Sequence, residues 1–178
     1  DAWETNDFVV GETLWGNPVT TKAMIKKIHD LGFNTIRIPV TYGNSILEDY
    51  SVKESWMSRI QEVVDYAISE DMYVVLNIHH DGCYNDAPKP HGWLDVDGTD
   101  EEFAKVREKY DGLWKTIANR FKNYDEHLLF AAMNEVYDDD HKLGWAGFEK
   151  EDLKEYFETE FARINTLNQD FVDIVRAS

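Results

Sequence analysis

Three short apolar runs, at 33–40, 73–79 and 128–135, alternate with stretches in which apolar residues recur every three or four positions. The runs have strand length, and the stretches have the period of a helix with one buried face. Strand followed by helix, three times over, predicts parallel strands joined by right-handed crossovers. Thr20 and Thr21 stand where a cap belongs, ahead of Met24, Ile25, Ile28 and Leu31, and Gly32 ends that first helix. Ser55 opens a second helix carrying Trp56, Ile60, Val63, Val64, Ala67 and Ile68. Thr99 and Glu102 make a capping box for a third, whose inward side holds Phe103, Val106, Tyr110, Leu113, Trp114, Ile117 and Phe121. A long amphipathic helix closes the chain, marked by Leu153, Tyr156, Phe157, Phe161, Ile164, Leu167, Phe171 and Val175.

Three strands alone leave two open edges and one apolar face uncovered. The expected fold is α/β, a (β/α)8 TIM barrel of which this chain supplies roughly half: three strand–helix units behind a loop and a helix. Residues 1–178 are expected to form one partial barrel domain lacking the first strand and the C-terminal half, since such barrels typically need roughly 250 residues. A small three-layer α/β domain is the alternative. Thirty-five acidic against eighteen basic side chains give a net charge of −17. Nucleic acid and anionic membrane surfaces would be repelled, so neither is an expected partner, and a neutral substrate suits the charge. No run of about eighteen apolar residues predicts a membrane span, and a single cysteine, Cys83, allows no internal disulfide. The opening residues, Asp1 to Glu4, lack the zones of a signal peptide.

The chemistry-bearing residues gather at the strand ends. The run from Leu128 to Met133 reads as a fully buried strand, and it finishes in Asn134-Glu135. A carboxylate at the tip of such a strand needs a partner, a shifted pKa or a task. Neighbours on a regular strand alternate, so a bulge or a final turn must aim Asn134 and Glu135 together. Ile36, Ile38 and Val40 share one side of their strand, which turns Thr35 and Arg37 to the other, the barrel interior. A guanidinium there needs carboxylates or substrate oxygens for its donors. His79 and His80 close the second strand, and alternation turns His79 inward beside Arg37. Asp81, Cys83, Asp86 and His91 follow, but their spacing fits no standard zinc pattern, so no metal is expected. Trp3, Trp15, Trp93 and Trp145 fall in predicted loops, where indole faces can stack on sugar rings or pack the loop against the rim. The run from Asp138 to His141 reads as a solvated loop, with a calcium site as the alternative.

Gly11 to Pro18, Gly32 to Val40, Asn77 to Asp81 and Phe130 to Glu135, in this order and spacing, resemble the cellulase family, glycoside hydrolase family 5. Its broad endoglucanase branch also cleaves xyloglucan and mixed-linkage glucan. The resemblance runs on to Asn165–Phe171. It implies a secreted, retaining endo-β-1,4-glucanase needing no cofactor, with the chain as a partial catalytic domain acting on a β-glucan polysaccharide or oligosaccharide. It also implies that Glu135 is the acid/base residue and that Asn134 bonds the sugar's 2-hydroxyl. Arg37 would support the nucleophile, and His79 with His80 would line the subsite on the non-reducing side. Trp93 is expected to touch substrate. The family's nucleophile is a glutamate after the seventh strand, beyond the strands read here. Asp81 and Asp138 are the other carboxylates on offer, and nothing in their context supports either. The remaining half of the barrel is then a required partner, supplied by the same polypeptide, a second fragment or self-association, and the chain alone is expected to be inactive. A non-catalytic carbohydrate-binding or self-assembling half-barrel is the alternative function. A metal-dependent hydrolase built on His79, His80 and His91 is a third.

Overall fold

The computed structural model describes residues 12, 13, 16–82, 92–136 and 154–178. Thr21 caps the first helix, α1 (Lys22–Asp30), accepting the Met24 N–H at 3.3 Å. Gly32, at φ +97°, supplies the left-handed residue that releases the chain into β1 (Thr35–Val40). The α2 helix (Glu54–Ile68) leads to β2 (Tyr73–Ile78). Thr99 and Glu102 form the complete capping box of α3 (Asp100–Phe121), which leads to β3 (Leu128–Ala131). The last helix is α4 (Lys154–Ala177).

The strands form one parallel sheet in the order β1-β2-β3. Arg37 stands opposite Val75, and Asn77 lies between Pro39 and Ala131. Period-two alternation then sorts the side chains. Val74, Leu76 and Ile78 are wholly buried against Met57, Ile60 and Val64 of α2 and Leu113, Trp114 and Ile117 of α3. Each such side chain stabilises the fold by about 1.5–3 kcal/mol relative to leaving it in water. The α4 helix extends this core through Leu167 and through Phe171, whose ring meets Trp114 edge-on at 4.5 Å. Arg163 of α4 is buried and donates to the carbonyls of Val96 and Gly98 and to Asp100, tying α4 to the entrance of α3.

The opposite side of the sheet is largely exposed among the described residues, apart from Asn77, which is wholly buried. Thr35, Arg37 and Pro39 are exposed there, as are Tyr73 and Leu129. This corrects the reading of 128–135 as a fully buried strand, since Leu129 is 48% exposed. Nor does that strand reach Glu135. It stops at Ala131, the last residue paired with β2, which itself ends one residue beyond Asn77. Two boundaries also shift by a residue or two: α2 begins at Glu54 rather than Ser55, and β2 ends at Ile78 rather than His79.

Candidate active site

Parallel strands deliver their C-terminal ends to one rim, so residues 40, 78 and 131 open loops on the same side of the sheet. Arg37 reaches this rim from within β1, and its Nη2 donates to Asn134 Oδ1 at 2.7 Å. That bond joins residues 97 positions apart and fixes which way the amide points. With Oδ1 occupied by a cation, the Nδ2 hydrogens of Asn134 are left to donate outward.

His79 is set by Asn77, which is wholly buried. The Asn77 Oδ1 accepts the Val40 N–H at 3.4 Å, so its Nδ2 faces His79 Nδ1, 3.1 Å away. Nδ1 therefore accepts, and the imidazole proton sits on Nε2. Burial, helped by His80 and Arg37, pushes the His79 pKa down to about 4, against a weaker pull from Glu135. The ring is neutral at neutral pH. His80 lies edge-on to it, centroids 4.4 Å apart, and its own pKa is lowered by burial. Its backbone N–H donates to Thr41 Oγ1 at 3.2 Å.

Glu135 is exposed rather than buried at a strand tip, which corrects the sequence reading; the strand has ended four residues earlier. It is not remote from the other groups, because its charge favours protonation of both His79 and His80. No bulge aims it. Its backbone instead takes φ +41°, a left-handed conformation that costs a glutamate about 1–3 kcal/mol. The loop after β2 closes against it: a Cβ on Gly82 would lie 2.9 Å from the Glu135 carbonyl oxygen, so only glycine fits there undisturbed.

Asp81 holds two loops together, a role that its place in the sequence does not reveal. It is 1% exposed, accepts the Tyr42 N–H at 2.9 Å and the Trp93 indole N–H at 2.8 Å, and its carbonyl takes the N–H groups of Trp93 and Leu94. Burial raises its pKa to about 6, opposed by those bonds. Trp93 thus spends its indole N–H on Asp81, and the Lys109 ammonium sits 4.5 Å from its ring centroid. The only sequence signal for Asp81 was its place directly after two histidines at a strand end.

A cleft of about 510 Å3 takes in Arg37, His79 and His80 and runs along β1 to Asn17 and Thr20; Asn134 and Glu135 lie outside its lining. Among the described residues no three His, Cys, Asp or Glu side chains gather as a cation site would require. Trp3, Trp15, Trp145, Cys83, Asp86, His91 and the run from Asp138 to His141 lie outside the described residues.

Residues 3–178 match the family described as cellulase (glycosyl hydrolase family 5). Endoglucanase A of Paenibacillus barcinonensis is 41% identical over 93% of this chain, which covers 38% of that protein. A family 5 xyloglucanase from Paenibacillus pabuli, solved with ligand, superposes with a TM-score of 0.79 at 42% identity, over 93% of this chain and 42% of that one. A GH5-4 broad specificity endoglucanase from an uncultured bacterium gives a TM-score of 0.86 at 33% identity, over 99% of this chain and 48% of the other. The chain thus spans less than half the length of these relatives. The sheet and its helices are part of a TIM barrel, and the chain belongs to the cellulase family, glycosyl hydrolase family 5.

Proposed function

We propose that this chain supplies the acid/base half of a retaining endo-β-1,4-glucanase that acts by double displacement. One observation carries the reading: Glu135, the Arg37–Asn134 pair and the neutral His79 converge on one end of the sheet. Glu135 protonates the glycosidic oxygen as it leaves. A second carboxylate about 5–5.5 Å away attacks the anomeric carbon and forms the glycosyl ester, and Glu135 then takes a proton from the water that hydrolyses it. Asn134 Nδ2 donates to the 2-hydroxyl, where a hydrogen bond strengthens as positive charge develops at the ring. His79 Nε2–H, with His80, donates to a hydroxyl of the sugar on the non-reducing side, and Trp93 offers the ring face that Lys109 leaves open. The second carboxylate comes from polypeptide that completes the barrel: the same chain, a second fragment or a second copy. The 178-residue chain alone is therefore expected to be inactive. The enzyme acts outside the cell, where a glucan polymer is accessible.

The test fuses this chain to the C-terminal remainder of the Paenibacillus barcinonensis endoglucanase and measures new reducing ends from soluble β-1,4-glucan. Hydrolysis that falls by about a hundredfold or more on Glu135→Gln, and is indifferent to chelator, is the expected result. A folded fusion with no turnover, or one that Glu135→Gln leaves unimpaired, sinks the reading. The open inner side of the sheet favours a second reading, a carbohydrate-binding or self-assembling half-barrel. Glucan binding without turnover would support it.

A further inference from the structure

Ala132 is the first residue past β3, where strand pairing has ended. Its carbonyl oxygen is taken instead by two donors from α3, Tyr110 Oη at 3.1 Å and Trp114 Nε1 at 3.2 Å. Both side chains are wholly buried. Burial also raises the Tyr110 pKa, so its hydroxyl remains a donor across the working range. One donor would satisfy a carbonyl; two from a rigid helix also fix its direction. Trp114 cannot swing away, because Phe130 and Phe171 meet its ring at 5.8 and 4.5 Å.

Downstream, the same segment is held twice more. Arg37 fixes the Asn134 side chain, and the Glu135 carbonyl rests against Gly82. The left-handed backbone of Glu135 can persist only while its surroundings impose it. We infer that Tyr110 and Trp114 are positioning residues for Glu135, clamping the Ala132 carbonyl so that the carboxylate three residues on is aimed at the leaving oxygen. The inference rests on the acid/base reading of Glu135.

Tyr110→Phe and Trp114→Phe each keep an aromatic ring and remove a donor. In the fusion enzyme each variant is expected to lower kcat on glucan by about threefold to tenfold, and the pair by about tenfold to a hundredfold, with KM within about twofold of the parent. A dinitrophenyl cellobioside has a leaving group that needs no proton, so its burst of dinitrophenolate should keep its parental rate. Equal slowing on both substrates, or no slowing on either, overturns the inference. Should Trp114→Phe not fold, Tyr110→Phe carries the same comparison. A parent whose turnover does not depend on Glu135 overturns the acid/base reading and this inference with it. A Glu135-dependent parent with losses alike on both substrates overturns the clamp alone.

Discussion

On the helix-packed side of the sheet, Val74, Leu76 and Ile78 are wholly buried, whereas on the other side Thr35, Arg37 and Leu129 stand exposed. The first side obeys packing alone, and any well-fitting apolar set would serve it. The second carries a guanidinium on one strand and leads, past the strand ends, to an amide, two imidazoles and a carboxylate. Alternation along the strands separates the two tasks: every second side chain builds the protein, and the others are free for chemistry.

The sharpest way to break this contrast is to truncate one leucine on each side. Leu76→Ala leaves a cavity in the core and is expected to cost about 2–5 kcal/mol in urea denaturation, while Leu129→Ala should stay within about 1 kcal/mol. Equal losses would mean that the inner side is covered in solution. Next in size is Gly82→Ala, whose new methyl meets the Glu135 carbonyl. We expect a loss of about 1–3 kcal/mol and a disproportionate fall in kcat of the fusion enzyme. Unchanged kcat would show that the β2 loop does not constrain Glu135.

The smallest effect is a pH dependence confined to the rim. The folded pKa of His79, about 4, lies below its ordinary 6.5, so the unfolded chain takes up that proton first as pH falls. Its contribution to stability is complete above pH 6.5 and is lost toward pH 4. Asp81 has the opposite sign, with a folded pKa of about 6 above its ordinary 3.8. Its contribution is complete below pH 3.8 and is lost as pH rises through 6. Melting temperatures from pH 4 to 6 should therefore rise less steeply with pH in His79→Gln and more steeply in Asp81→Asn. Identical slopes in the two variants would refute the assignment.

Much of this was legible in the residues themselves. The caps at Thr21 and Thr99, the alternation in 35–40 and 73–78 and the order of units are local signals, and local geometry obeys them. The end of β3 was not local, because it depends on where β2 stops supplying partners. Asp81 is named in the sequence reading only as a carboxylate on offer or a rejected metal ligand, and its role as a tie between loops is hidden for the same reason. Its importance lies in Tyr42 and Trp93, 39 and 12 positions away, which only the folded rim brings together. Tyr110 and Trp114 fitted the apolar stripe of α3 so well that periodicity hid their polar atoms.

The unusual backbone at Glu135 also sets heat resistance against activity. Glycine adopts that geometry freely, so Glu135→Gly is expected to raise stability by about 1 kcal/mol while deleting the carboxylate, measurable as a higher melting temperature. Screening variants of this chain for thermal robustness alone would therefore drift toward inert proteins, and any such screen needs a parallel readout of sugar cleavage.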